Sequence, residues 1–161
     1  MDLSEAWYVS MPHDLEMSEH MEDTSFNVPE GFVLLDRDSP FSDLTGPYYE
    51  KRENGKHVAL GMYVTPQHVN KIRLTHGGVY MTLADNAFGD AILSHFADVP
   101  VTAVTVSLTC QFLAASRPGD WLEARVVFNK IGRKLIFGDC QIFNGEQQVF
   151  SASAIFSVMQ K

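Results

Sequence analysis

Cysteine is scarce in this chain. Cys110 and Cys140 are the only two, and both fall inside strand-like runs. Without an export signal, that pattern reads as buried free thiols and not as a disulfide framework. The start of the chain lacks basic residues altogether: residues 1–25 carry Asp2, Glu5, Asp14, Glu16, Glu19, Glu22 and Asp23 but no Lys or Arg. They have neither the positive end nor the apolar centre of a secretory leader. No apolar run approaches the ~20 residues needed to cross a bilayer. Over the whole chain, 12 Lys and Arg stand against 20 Asp and Glu, for a net charge of −8. That balance argues against the basic stripe of a nucleic-acid binder. It leaves room for a local basic pocket that holds an anionic ligand. The expectation is a soluble cytoplasmic protein with neither nucleic acid nor membrane as partner.

Several chemical signatures are missing as well. There is no Gly-x-Ser-x-Gly elbow, which argues against an α/β-hydrolase, and no Gly-rich phosphate loop. His57, His68, His76 and His95 show no ligand spacing with Cys or acidic partners, so no metal and no separate cofactor is expected.

What is present is ordinary globular material, 45% hydrophobic and 20% charged over 161 residues, which suits one domain. Residues 1–45 read as an acidic N-terminal extension and lead-in, and residues 46–161 as the folded domain. Within the extension a short helix is expected around Leu15 to Met21. The segment is either a solvated arm or a flap over a neighbouring subunit anchored by Trp7 and Tyr8. Phe32 to Leu44 reads as part helix or extended lead-in. Tyr48–Glu53 and His57–Val64 flank Asn54-Gly55, a pair suited to a two-residue hairpin turn with positive φ. Thr75–Phe96 is the one long helical pattern. Four strand-like runs follow: Thr102–Leu113, Trp121–Phe128, Leu135–Phe143 and Val149–Val158. In the first, Val104, Val106, Leu108, Cys110 and Phe112 alternate with polar residues, which predicts one dry face and one polar face. The order of elements predicts an α+β fold, five to six antiparallel strands with the helix on one face.

The long helix begins oddly. Thr75 is the expected N-cap, yet Gly77 and Gly78 occupy the first turn, where each costs helix stability relative to Ala. Two readings stand together: close packing against another backbone, or access of a ligand oxygen to bare N–H groups. Asp85 sits mid-helix beside apolar Leu83, Ala84 and Ala87, a position of poor propensity for Asp. It follows His76 by nine residues, which on a helix is half a turn out of phase and roughly 13 Å along. For both to act on one bond, the simplest arrangement is a two-fold dimer.

Asn70, then His76-Gly77-Gly78, then Leu83-Ala84-Asp85-Asn86-Ala87 resembles the hot-dog fold thioesterases of the phenylacetate-degradation and 4-hydroxybenzoyl-CoA thioesterase type. The likeness runs from about Gly46 to Val158. It implies a thioesterase that acts on an acyl-CoA substrate and needs no cofactor. The strands would wrap the central helix, and the active sites would lie between the subunits of a homodimer assembled further to a tetramer. Asp85 would be the catalytic carboxylate, acting as general base or nucleophile. The Gly77 N–H would polarise the carbonyl with support from Asn70 and His76, and Thr105 would place the water. Gly78, Asn86 and Phe88 would line the substrate pocket, with Phe96 and Phe112 as further candidates. Lys130, Arg133, Lys134 and Arg117 are the cations available for coenzyme A phosphates. A dehydratase or hydratase acting on acyl thioesters, and a non-catalytic acyl-CoA sensor, are the alternatives on the same fold.

Overall fold

The computed structural model describes residues 27–37 and 39–160, so the expected helix near Leu15 and the Trp7–Tyr8 anchor lie outside the described residues. Seven strands form one antiparallel sheet: β1 (Phe32–Leu34), β2 (Tyr49–Glu53), β3 (Lys56–Tyr63), β4 (Val101–Phe112), β5 (Trp121–Ile131), β6 (Leu135–Asn144) and β7 (Gln147–Gln160). Their order across the sheet is β1-β2-β3-β5-β6-β7-β4. Two helices accompany them, α1 (Pro40–Thr45) and the long α2 (Gly77–His95). The α+β expectation holds. The strand count exceeds it by the three-residue β1, too short to leave a period in the sequence.

Local chemistry explains the connections. Asn54 and Gly55 adopt φ of 51° and 76°, the left-handed pair that a tight hairpin requires. Helix α2 lies on the sheet with Leu83, Ala84, Ala87, Phe88 and Ile92 sealed from solvent. Full burial of Leu83, Phe88 and Ile92 contributes about 1.5–3 kcal/mol each.

The long strand β4 departs from the alternation read in its sequence. Thr105 pairs with Phe156 and Ser107 with Ile155, so Val106 is an extra residue in a β-bulge. The bulge changes which residues face the helix. After it, Leu108, Cys110 and Phe112 sit opposite inward Ala154, Ala152 and Phe150; before it, Ala103 and Thr105 sit opposite inward Val158 and Phe156. Val104 and Val106, expected on the dry face, are 49% and 59% exposed. Bulges characteristically re-aim a side chain in this way. β4 is also an edge strand, with its outer backbone groups unpaired among the described residues.

Cys110 and Cys140 flank Ala152 from β4 and β6, two strand spacings apart, so they cannot bridge. Both are free, and burial pushes the Cys140 thiol up to about 12.

The lead-in is tied to the domain. β1 pairs with β2, and Arg37 makes two 2.7 Å hydrogen bonds to the Asp90 carboxylate on α2. Burial raises the Asp90 pKa against the pull of Arg37. An Arg37→Ala variant leaves that carboxylate enclosed without its partner, a loss that costs about 3–5 kcal/mol in fully buried pairs. Some solvent reaches this pair, so we expect about 2–3 kcal/mol, read as a lowered urea midpoint.

Candidate active site

Helix α2 carries one face that the sheet does not cover. Met81 and Leu93 are 40% and 52% exposed, and the space around Gly89 is open. Asp85 stands half-buried on this face. The Thr105 hydroxyl, turned inward by the bulge, donates to Asp85 Oδ1 at 2.6 Å. A hydroxyl bound this closely to a carboxylate is a strong, charge-assisted contact that fixes the rotamer of both groups.

The start of α2 is built differently from the expectation. The N-cap is His76 and not Thr75: His76 Nδ1 accepts from the Gly78 N–H at 2.9 Å, and His76 C=O accepts from the Val79 N–H at 2.9 Å. Thr75 is buried instead, its hydroxyl 2.6 Å from Ser116 Oγ, which lies 2.7 Å from the Tyr80 hydroxyl. That enclosed hydroxyl chain competes for Thr75 and passes the cap to the next residue. Because Nδ1 of His76 accepts a backbone N–H, its ring proton belongs on Nε2, on an exposed side chain. The Gly77 N–H makes no hydrogen bond among the described residues. A Cβ on Gly77 would sit 3.1 Å from Phe112 Cε1, and one on Gly78 3.1 Å from His76 Nδ1. Close packing and an open N–H are therefore both present at this turn.

Asn70 organises the loop before the helix. Its Oδ1 accepts from the N–H groups of Ile72 and Leu74, at 3.0 and 3.2 Å, leaving Nδ2 as its group for a ligand. The same loop holds Arg73 at φ 62°, a strained value for a side chain of that size.

Asn70, His76 and Gly77 thus cluster at one end of α2, and Asp85 and Thr105 lie further along. Gly77 and Asp85 are separated by about 12 Å of helix within one chain. Lys130, Arg133 and Lys134 are exposed around the β5–β6 turn, lining two adjoining cavities of about 690 and 750 Å³, the first of which reaches Phe96 just beyond the helix end. Arg117 is not with them. It follows Ser116 beside the start of α2, a helix length of about 28 Å away. Phe88 is 1% exposed and packs on Phe156 in the core, so it reaches no open cavity. Phe112 lies over Gly77, and Asn86 is half-buried with its Nδ2 unpartnered among the described residues.

A cavity of about 350 Å³ opens beside Gly78, between α1, the turn at Pro66–His68 and α2. Leu44, Tyr48, Val69 and Val79 supply its apolar wall, and Thr45, Gln67, His68, His76 and Thr82 its polar groups. Apart from His76 and Gly78, none of these was anticipated. They come from four separated segments, and no spacing along the chain marks them as neighbours.

Comparison with known proteins agrees with this geometry. The sequence profile of the thioesterase superfamily matches residues 74–151, the span from the loop before α2 into β7. A Pseudomonas aeruginosa protein, PA0474, provisionally named an esterase, is 36% identical over 130 residues, which cover 81% of this chain and 96% of that protein. Among solved structures, the fold matches that of a hypothetical thioesterase of Streptococcus pneumoniae TIGR4 determined with coenzyme A. There the TM-score is 0.64 at 24% identity, over 71% of this chain and 87% of the other. It also matches the Escherichia coli PaaI protein from the phenylacetic acid degradation operon, with TM-score 0.59, 24% identity and 80% of each chain covered.

Proposed function

Since the chain belongs to the thioesterase superfamily, a thioester hydrolase on the hot-dog fold, we propose that it hydrolyses an acyl-CoA to the free acid and coenzyme A. The observation that carries this reading is the Asp85 carboxylate, held by Thr105 on the uncovered face of α2. In the simplest course, Asp85 takes a proton from water as the water oxygen bonds to the thioester carbon. The carbonyl electrons move onto oxygen, where an N–H donor stabilises them, and the intermediate then collapses with loss of the coenzyme A thiolate. The Gly77 N–H, with Asn70 Nδ2 and His76 Nε2–H nearby, suits the donor role.

Two subunits solve the 12 Å separation. A two-fold pairing that sets the helix start of one chain against Asp85 of the other would assemble both halves on one bond. The uncovered face of α2 and the β4 edge with exposed Val104 and Val106 are the surfaces such a dimer would bury. A strand edge of twelve residues is otherwise an aggregation hazard. The cations at residues 130–134 fit the coenzyme A phosphates, because they lie about 15 Å along the helix from Asp85. Arg117, at the other end of α2, is dropped from that group for the same chain.

The test is release of free thiol from a panel of aromatic and aliphatic acyl-CoAs, with the oligomeric state measured by sedimentation. We expect catalytic turnover of at least one class by a dimer or larger assembly. Binding of acyl-CoA without any release of coenzyme A would overturn the enzyme reading in favour of a sensor.

A further inference from the structure

The cavity between α1 and α2 has a buried donor at its base. His68 is 4% exposed, and its Nε2 has no hydrogen-bond partner. Its tautomer follows from the other ring nitrogen: Nδ1 lies 3.0 Å from the Thr65 backbone N, whose N–H can only donate, so Nδ1 carries the lone pair. The proton of the neutral ring is then on Nε2. Burial lowers the His68 pKa, which keeps the ring neutral near pH 7; the Thr45 and Tyr63 backbones pull the other way, but neither makes a hydrogen bond of good geometry to Nε2. A donor enclosed in this manner is costly unless something accepts from it. The backbone also links it to the candidate site, since His68 C=O accepts from the His76 N–H at 2.9 Å. A bound molecule is the natural source of the acceptor, because His68, His76 and Gly78 line one cavity, otherwise walled by apolar groups such as Leu44 and Val79.

We propose that this cavity receives the acyl group, and that His68 selects chains bearing an acceptor oxygen, carbonyl, ether or hydroxyl, at the end remote from the thioester. The inference rests on the thioesterase reading and adds its specificity residue. A volume of about 350 Å³ lies near the lower limit for small-molecule pockets, so a ring or a short chain fits and a long saturated chain does not. A site built to hydrogen-bond an oxygen discriminates against the analogue without it, because the protein group is left unpaired.

Two pairs of substrates read the effect: phenylacetyl-CoA against 4-methoxyphenylacetyl-CoA, and hexanoyl-CoA against 5-oxohexanoyl-CoA. The full chain is expected to favour the oxygenated member of at least one pair by about ten- to a hundredfold in kcat/KM. His68→Asn keeps an acceptor for the Thr65 N–H but cannot extend a donor to the Nε2 position, so its ratio should fall towards one. His68→Gln places an amide donor near that position and should restore part of the preference. Circular dichroism checks that each variant is folded. Equal kcat/KM within both pairs, or a preference that survives in His68→Asn, overturns the proposal while leaving the thioesterase reading intact. The same pairs are compared by calorimetric binding, so the absence of any hydrolysis sinks the thioesterase reading separately, and the binding ratio still decides the role of His68.

Discussion

Asp85→Asn should abolish most thioester hydrolysis, lowering kcat by about 10²–10⁴ with little change in the affinity for acyl-CoA. The magnitude is that of a positioned general base in comparable reactions. Asn preserves the size of the side chain and can still accept from the Thr105 hydroxyl, which now holds Asp85 at 2.6 Å. It can neither take a proton from water nor attack as an anion, so the substitution isolates the chemistry from the packing. Asp85 is half-buried and open on one side, and the sheet side of the helix is sealed by Leu83, Ala84 and Ala87. The fold should therefore tolerate the change. Single-turnover kinetics beside calorimetric binding would separate the two effects. Wild-type rates in the Asn variant would remove Asp85 from the mechanism, whatever the substrate proved to be.

The second large effect is expected at the first residue of α2. Gly77→Pro removes one atom of functional interest, the amide hydrogen, at a position where proline suits helix geometry. His76, the preceding residue, already has φ −65° and ψ 137°, within the range that a following proline requires. The helix should form as before, since the Gly77 N–H makes no intrachain hydrogen bond among the described residues. If that N–H stabilises the developing oxyanion, kcat falls by about 10²–10³. Gly77→Ala is the control for bulk. It keeps the N–H and adds the Cβ that meets the Phe112 ring at 3.1 Å, a contact that a 55% exposed side chain can relieve by moving. A large loss in Pro with a small loss in Ala identifies the N–H. Equal losses would assign the effect to crowding, and retained activity in Pro would exclude Gly77 as the donor.

The legible part of this molecule is that in which local pattern and tertiary environment agree. The Asn54-Gly55 turn, the apolar stripe of α2 and strands β5 to β7 all follow from side-chain period and turn chemistry, with boundaries displaced by one to three residues. Helix α2 starts at Gly77, two residues later than the pattern predicts, because Thr75 is drawn into hydroxyl contact with Ser116, 41 positions away. That contact leaves no local trace. The Asp85, His76 and Gly77 motif was visible as an anomaly, an acid and two glycines where a helix prefers neither.

By itself, the chain of residues determined an α+β domain with one long helix, the identity of the unusual groups upon it, and the half-turn mismatch between Gly77 and Asp85. These depend on period, propensity and covalent spacing, which are short-range properties. Three features were decided by the tertiary structure alone. The bulge at Val106 turns Thr105 towards Asp85, although the alternation of β4 would send it outward. Packing of α1 and the Pro66–His68 turn against α2 creates the cavity with His68 at its base. The fold also sends Arg117 and the cations of residues 130–134 to opposite ends of the helix. Each depends on where a strand or loop meets a partner distant in sequence. Such a meeting is governed by register and packing of the whole sheet, and a two-residue period cannot report it.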